Sequence, residues 1–419
     1  MAAHLTLLFI TSSLLPLLTS SQPTGKITLG ASICANDTSP PWLSPSKEFA
    51  FGFQPLSKNN NNSSYVLSIW FDKIPPKTIV WFDRYTAPLG ATLTLEAKNG
   101  LVLRDSRGNP LHTYTENLAG QVAYGAITDS GNLILSGNAA THYWESFKNP
   151  ADTILPGQTI ESGGSTLVSR KSPTELSYGR FYTGINADGK FALTTKTLPT
   201  NLNVDAEYYT AGPGSSERVA FAANPPEITI GSTVILRSSL PAADYYFRAT
   251  IDFDGVFSLY QYPKKFDGNS KWEISSGGTL PENVCLAITG DKGSGACGYN
   301  NVCSLKDGRP ACRCPDGFVL VDQENEYGDC RANFSGDCLG QAGLDEYRLV
   351  TIKDVDWPLN DYVQMNRSTL EECRDGCLKD YLCGAAIFRS NSCWRKRLPL
   401  SNGRVDTSLG AVAFLKVRK

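Results

Sequence analysis

Between Lys26 and Trp144 apolar residues alternate with small or polar ones in short runs, each bounded by Gly, Asp, Asn or Ser. A period of two turns one strand face to a core and the other to solvent, so the pattern predicts β-strands. Glu48-Phe-Ala-Phe-Gly-Phe53 is such a run. Tyr65-Val-Leu-Ser-Ile-Trp-Phe71 is almost continuously apolar, as a fully buried strand should be, and Thr78-Ile-Val-Trp-Phe82 is its expected partner. The polar stretch Ser57 to Ser64 between the first two predicts a hairpin tip. One phrase organises the remainder: Asp129-Ser-Gly-Asn-Leu-Ile-Leu135. Variants stand at Asn99-Gly-Leu-Val-Leu103, Asp188-Gly-Lys-Phe-Ala-Leu193 and Asp254-Gly-Val-Phe-Ser-Leu259. Asp and Gly adopt turn conformations that strain other residues, and the apolar positions behind them line one strand face. Recurrence of one strand-turn unit predicts a repeated, mostly β architecture. Residues 148–276 continue in the same style at lower apolar density, which predicts a second domain of the same kind.

Gly277-Gly278 and Pro281 then punctuate a change of texture. Of 12 cysteines, all but Cys34 fall between Cys285 and Cys393. Cys285, Cys297, Cys303, Cys312, Cys314 and Cys330 form one group, for which fifteen pairings are open. Further on, Ser368-Thr-Leu-Glu371 has the form of a helix capping box and precedes Cys373 and Cys377. Four residues apart, these two cysteines share a helix face and can clamp that helix to a sheet.

The leader decides how the cysteines are read. Leu5 to Leu18 is apolar but broken by Thr11, Ser12, Ser13 and Pro16, and Thr19-Ser-Ser21 follows. Such a run is too short for a membrane span and predicts a secretory signal peptide over residues 1–21. No later window approaches the roughly 20 apolar residues of a transmembrane helix, so the mature chain is expected to be secreted. In an oxidising compartment the cysteines predict disulfides rather than zinc ligands. Asn36, Asn61, Asn62, Asn333 and Asn366 are candidate N-glycosylation sites, with Asn61 and Asn62 competing.

Composition narrows the function. At 419 residues two to four domains are expected. Charged residues are 19% and the net charge is −2, which argues against a nucleic-acid partner and a polybasic membrane surface. Beyond the leader only His112 and His142 remain, with no His-Glu-x-x-His or Gly-x-Ser-x-Gly motif, and no metal or cofactor is expected. Asp205 and Glu207 stand on alternate positions, the usual pattern of a solvated strand face. Trp394-Arg-Lys-Arg397 is a small basic patch, read as solvated.

Several longer stretches carry a resemblance: Trp42 to Phe53, Ser68-Ile-Trp-Phe-Asp-Lys-Ile-Pro75, Trp144 to Gln158, Tyr246 to Phe257, Asp356-Trp-Pro-Leu-Asn-Asp-Tyr362 and Cys393 to Gly403. In this order they resemble the extracellular half of the plant G-type lectin S-domain receptor-like kinases. The resemblance implies two tandem β-prism (bulb-type lectin) domains over residues 22–147 and 148–276. An EGF-like module over 281–331 and a small α+β PAN/apple module over 338–417 would follow. It selects the pairings Cys285–Cys303, Cys297–Cys312 and Cys314–Cys330, and in the last module Cys373–Cys393 and Cys377–Cys383. Cys34 and Cys338 are left over, to remain free, bridge each other or link two chains. Calcium is not expected, since Pro281-Glu-Asn-Val284 lacks the acidic cluster of calcium-binding EGF modules.

In the family a transmembrane helix and a Ser/Thr kinase follow, whereas this sequence has no Gly-rich phosphate loop, His-Arg-Asp or Asp-Phe-Gly motif. The chain is therefore expected to be non-enzymatic: a secreted relative, or the sensor half of a cell-membrane receptor. The mannose-binding pattern of the fold, Gln-x-Asp-x-Asn-x-Val-x-Tyr, falls on Thr128, Ser130, Asn132, Ile134 and Ser136. An earlier copy falls on Glu96, Lys98, Gly100, Val102 and Arg104. Only Asn132 matches and Ile134 is conservative, so the repeat is expected to build strands rather than hold sugar. The expected function is extracellular recognition of a protein, glycan or lipidic ligand in defence or stress signalling. Alternatives are a mannose-type lectin, or a soluble decoy dimerising with related receptors; the PAN module is the expected dimer contact.

Overall fold

The structure, a computed structural model, describes residues 25–57, 64–75, 77–115, 117–139, 141–196, 206–289, 294–333 and 344–419. The leader, Asn61, Asn62, Asp205 and Cys338 lie outside the described residues.

The alternating pattern folds as three nested sheets. Three short strands open the unit: β1 (Lys26–Thr28), β2 (Ser32–Cys34) and β3 (Trp42–Leu43). Next come β4 (Phe49–Ser57), β5 (Ser64–Phe71), β6 (Thr78–Pro88) and β7 (Thr92–Glu96). β8 (Gly100–Arg104), β9 (Pro110–Thr113), β10 (Tyr124–Ile127), β11 (Leu133–Ser136) and β12 (His142–Glu145) complete it. Each opening strand heads one four-stranded antiparallel sheet, in the orders β3-β4-β5-β6, β2-β7-β8-β9 and β1-β10-β11-β12. The last strand to open is thus the first to be closed. β5 pairs with β6 as the pattern predicts, Ile69 opposite Trp81. Inward residues of all three sheets share one core, with Leu67, Ile69, Leu93, Leu95, Leu101, Leu103, Leu133 and Leu135 wholly buried. Each such side chain contributes roughly 1.5–3 kcal/mol of burial.

The second unit repeats this plan. Its opening strands are β13 (Thr153–Ile154), β14 (Thr159–Glu161) and β15 (Leu167–Arg170). β16 (Tyr178–Ile185), β17 (Phe191–Thr195), β18 (Ala206–Ala211), β19 (Arg218–Ala223) and β20 (Pro226–Ile230) follow. β21 (Thr233–Arg237), β22 (Tyr245–Ile251), β23 (Phe257–Pro263) and β24 (Glu273–Leu280) end it. The sheets run β15-β16-β17-β18, β14-β19-β20-β21 and β13-β22-β23-β24. The four copies of the Asp/Gly phrase therefore turn β7 into β8, β10 into β11, β16 into β17 and β22 into β23. Gly131 (φ +85°) and Gly255 (φ +87°) occupy equivalent turns. A β-carbon on either would press within 3 Å of a phenylalanine ring, Phe49 or Phe181. Gly277-Gly278 does not punctuate the chain as its composition suggests. It lies inside β24, where Gly277 (φ +65°) forms part of a bulge opposite Ser258 to Tyr260.

The cysteine-dense segment begins with the short helix α1 (Val284–Ala287) and the hairpin β25 (Val302–Lys306) and β26 (Arg309–Arg313). β27 (Phe318–Leu320) and β28 (Cys330–Ala332) form a second hairpin. Disulfides join Cys285 to Cys303, Cys297 to Cys312 and Cys314 to Cys330. The hairpin is latched to the second unit by Arg309. Its guanidinium donates to Asp252 Oδ2 at 3.0 Å and Ser258 Oγ at 2.8 Å, and pairs with Asp254 Oδ2 at 2.5 Å. Burial is the main reason the Asp254 carboxyl is pushed up to about 6, against the pull of Arg309.

The C-terminal part comprises β29 (Tyr347–Lys353), β30 (Val355–Asp356), β31 (Asp361–Asn366) and α2 (Leu370–Lys379). After these come β32 (Ala385–Arg389), β33 (Ser392–Lys396), β34 (Arg404–Val405) and β35 (Val412–Arg418). The main sheet has the order β29-β35-β32-β33-β31. Cys373–Cys393 ties α2 to β33, and Cys377–Cys383 ties it to the following turn. The capping box sits one residue later than its sequence suggests. Thr369 Oγ1 accepts from the Glu372 amide, and the Glu372 carboxylate accepts from the Thr369 amide. Ser368 is unavailable, being buried with its amide donating to Asn391 O. No seam separates the two cysteine-rich modules: β25 pairs with β34, and β34 with β30. Trp357 is fully buried there, donating to Asn301 O at 3.1 Å, and Phe318 packs with it and Val417.

Candidate functional site

The pattern anchored at Asn132 does not present one row of side chains. β10 ends at Ile127 and β11 begins at Leu133, so Thr128 and Ser130 lie in the turn and only Ile134 and Ser136 lie on the strand. The reversal at Asp129-Ser-Gly131 breaks the period of two on which a shared face depends. Asn132 is buried and its side chain is spent internally. Its amide donates to Glu145 Oε2 at 3.0 Å, and its Oδ1 accepts from Ser146 Oγ and the Phe147 amide, both at 3.1 Å. Thr128 Oγ1 lies 2.8 Å from Ser130 Oγ and accepts from the Asn132 amide. Ser136 is buried. Burial opposes the Glu145 charge, but Lys148, Asn132 and His142 together hold its carboxyl below the usual range. In the earlier copy Glu96 is held low chiefly by Arg104, whose Nη2 lies 2.5 Å away. In both copies, side chains of the pattern bond to neighbouring residues of the fold.

The same turn faces the second unit. Asp129 and Ser130 border a small pocket of about 170 Å³ with Glu48, Tyr246 and Lys264. Its polar groups are engaged: Asp129 Oδ1 accepts from the Ser46 amide at 2.7 Å, and Tyr246 Oη donates to Glu48 at 3.2 Å.

A larger cleft of about 410 Å³ opens at another part of the junction. β6 supplies Trp81, Phe82, Asp83 and Arg84, β12 supplies Trp144, and Tyr178 closes the far side from the second unit. Trp81 and Trp144 meet edge to face at 5.8 Å, and Trp81 Nε1 donates to Asn149 O at 2.7 Å. Arg84 sews the units together, donating to Leu176 O at 2.6 Å and Val168 O at 2.7 Å. Its guanidinium also lies 4.2 Å from the Tyr178 ring, which holds in place a side chain that is 67% exposed. Burial lowers the pKa of Arg84, with Asp152 opposing. Asp83 is pushed up by burial, against the Tyr85 amide and His112. His112 stacks on Tyr85 at 4.4 Å and meets the edge of Tyr114 at 4.7 Å. The buried Tyr114 hydroxyl, at the cleft floor, has no partner among the described residues. Sequence reading missed this cleft. Its walls come from positions 81–84, 114, 144–151 and 165–178, and no local motif links them.

Cys34 is half-buried, its sulfur 3.7 Å from Thr92 Oγ1. Asn333 and Asn366 are exposed and Asn36 is half-buried. Among the described residues no group of three or more His, Cys, Asp or Glu side chains is placed to hold a metal ion, and no helix is long and apolar enough to cross a membrane.

Residues 78–173 match the family model described as D-mannose binding lectin, a span that holds every wall of the cleft except Tyr178. The chain is similar to the G-type lectin S-receptor-like serine/threonine-protein kinase LECRK3 of Oryza sativa subsp. indica. They are 36% identical over 442 residues, 99% of this chain and 54% of the relative. LECRK2 of the same subspecies is 35% identical, over 95% of this chain and 51% of the relative. RLK1 of Arabidopsis thaliana is 34% identical, over 94% and 50%. The chain spans about half the length of the curated relatives it matches.

Proposed function

The chain is a homologue of the G-type lectin S-receptor-like kinases that carries a bulb-type lectin domain, and from that premise we propose that it recognises an extracellular carbohydrate in the junction cleft. The cleft itself carries the reading. Trp144 and Tyr178 offer aromatic faces for the apolar side of a sugar ring, and Asp83 offers a carboxylate acceptor for hydroxyl donors. A concave site with apolar walls and a few fixed polar groups is the usual form of a small-ligand site. The Asn132 side chain, by contrast, is already engaged by Glu145, Ser146 and Phe147. We place this recognition on the extracellular side of the plant cell surface, in defence or stress perception. The units at 22–147 and 148–276 then act as one ligand-binding body, with the modules at 281–331 and 338–417 as its stem. The kinase activity in the relatives' names stays with them, because the region matched here is their lectin part.

A glycan array on the purified chain tests the reading, followed by titration of the best ligand against Trp144→Ala and Asp83→Asn. Each substitution should weaken binding about tenfold or more, equivalent to roughly 1.4 kcal/mol, while Asn132→Ala should leave affinity unchanged in the folded fraction. Binding that is indifferent to both cleft variants, or an array without a ligand, would remove the cleft from consideration.

A further inference from the structure

Thirteen large apolar side chains are exposed among the described residues. Four gather at one end of the C-terminal module: Leu359 at 48% exposure, Tyr381 at 79%, Leu382 at 53% and Leu398 at 45%. They sit on three connections, one between β30 and β31, one after α2 and one after β33. The connections adjoin. Asn360 Nδ2 donates to Pro399 O at 2.7 Å, the Arg397 amide to Asn360 O at 3.3 Å, and the Gly384 amide to Lys396 O at 2.8 Å. A β-carbon on Gly384 would lie 2.7 Å from Leu398 Cγ. These bonds hold the tips in place, with Leu359 and Asn360 both at positive φ.

Two cations beside the tips stand without an ion pair among the described residues. Asp361 pairs with Lys396 at 2.5 Å, and Asp380 accepts from Tyr362 at 2.7 Å and Arg395 at 3.3 Å. Lys379 and Arg397, which flank the tips, are exposed and form no ion pair with any described residue. Asp361 and Asp380 are thus paired within the module, while Lys379 and Arg397, the latter 5.5 Å from the Tyr362 ring, carry exposed positive charge.

We infer that this end of the module docks on an anionic lipid bilayer surface. Side chains that protrude one by one from neighbouring tips do not form the packed, desolvated pockets of a protein hot spot. They suit a surface that closes around them. Leucines can enter the acyl boundary, tyrosine prefers the interface, and Lys and Arg reach anionic headgroups from the rim. With the chain's net charge at −2, the attraction is local to this patch and screened within about 10 Å at moderate salt.

The test is co-sedimentation of the whole chain with vesicles of phosphatidylcholine alone and of phosphatidylcholine with phosphatidylserine. Bound protein should be several-fold greater with phosphatidylserine and should fall in high salt. Tyr381→Asp with Leu382→Asp should abolish it. Lys379→Glu with Arg397→Glu should erase the preference for the anionic vesicles. Leu305→Asp, at an exposed leucine on the β25–β26 hairpin, should change nothing, and unchanged tryptophan fluorescence confirms that each variant is folded. The inference fails if the chain pellets with neither vesicle, or if the tip variant pellets like the parent. It also fails if sedimentation velocity shows a dimer that the tip variant disperses without any vesicle binding, since the tips would then cover a second copy.

Discussion

Replacing Arg309 with methionine should uncouple the β25–β26 hairpin from the second β-unit in a pH-dependent way. The guanidinium holds two carboxylates: Asp254, 1% exposed, and Asp252, 16% exposed, the latter also bonded by Tyr260 at 2.8 Å. Removing one partner of a buried ion pair leaves an uncompensated charge and typically costs 3–5 kcal/mol, so a loss of about that size is expected at neutral pH. The sign with pH follows from Asp254. Its carboxyl is raised from 3.8 to about 6, so its contribution to stability is full below 3.8 and is lost as pH rises through about 6. Without Arg309 the carboxyl rises further, and at acid pH it is simply protonated. The cost of the substitution should therefore shrink on acidification, by about 1.4 kcal/mol for each unit that Asp254 rises in the variant. Urea unfolding of the oxidised chain at neutral and acid pH gives the global figure. Hydrogen exchange at the Val256 amide, which donates to Asp254 Oδ1 at 3.2 Å, reads the turn itself. A cost below about 1 kcal/mol at neutral pH, or one equal at both pH values, would refute the latch.

Three further outcomes are expected. Asn132→Ala should destabilise the first unit by about 1–3 kcal/mol per stranded partner, because Ser146 Oγ and the Phe147 amide lose their acceptor; denaturant midpoints check this. Gly255→Ala should cost about 1–3 kcal/mol, combining φ +87° with a β-carbon 2.7 Å from Phe181, whereas alanine at Gly268, which meets no atom within 4 Å, should be tolerated. Thr369→Ala should lower stability by about 1 kcal/mol and speed amide exchange in the first turn of α2, while Ser368→Ala should not expose those amides.

What could be read in the sequence is what depends on neighbours along the chain. The Asp/Gly phrase marked four hairpin turns because glycine at positive φ and the alternating residues behind it are local requirements. Cys373 and Cys377 marked a clamped helix because a spacing of four fixes the face. Ser368 misled by one residue, since Ser and Thr in tandem both fit a cap and only the bond to Asn391 decides between them. The Gly277-Gly278 pair read as a boundary for a similar reason: a bulge and a linker ask for the same residue. The five positions of the mannose pattern share a face only if a period of two runs unbroken, and the turn at Gly131, which depends on tertiary pairing, interrupts it. The cleft and the Arg309 latch were not legible. Trp81, Trp144 and Tyr178 look like ordinary core aromatics, and Arg309 like an ordinary hairpin charge, until distant segments are folded together.

The nesting of the three sheets also sets an order of events at the ribosome. The β3-β4-β5-β6 sheet can close once Pro88 has emerged, the β2 sheet must wait for Thr113, and the β1 sheet for Glu145. Until then β1 and β2 emerge as unpaired edges, open to pairing with other nascent chains. The second unit imposes the same delay, from Thr153 to Leu280. At translation rates of about 5–20 residues per second, each unit leaves its outermost strand single for several seconds or more. A chain built this way places a premium on chaperones that shield its first strands until the outer sheet has closed.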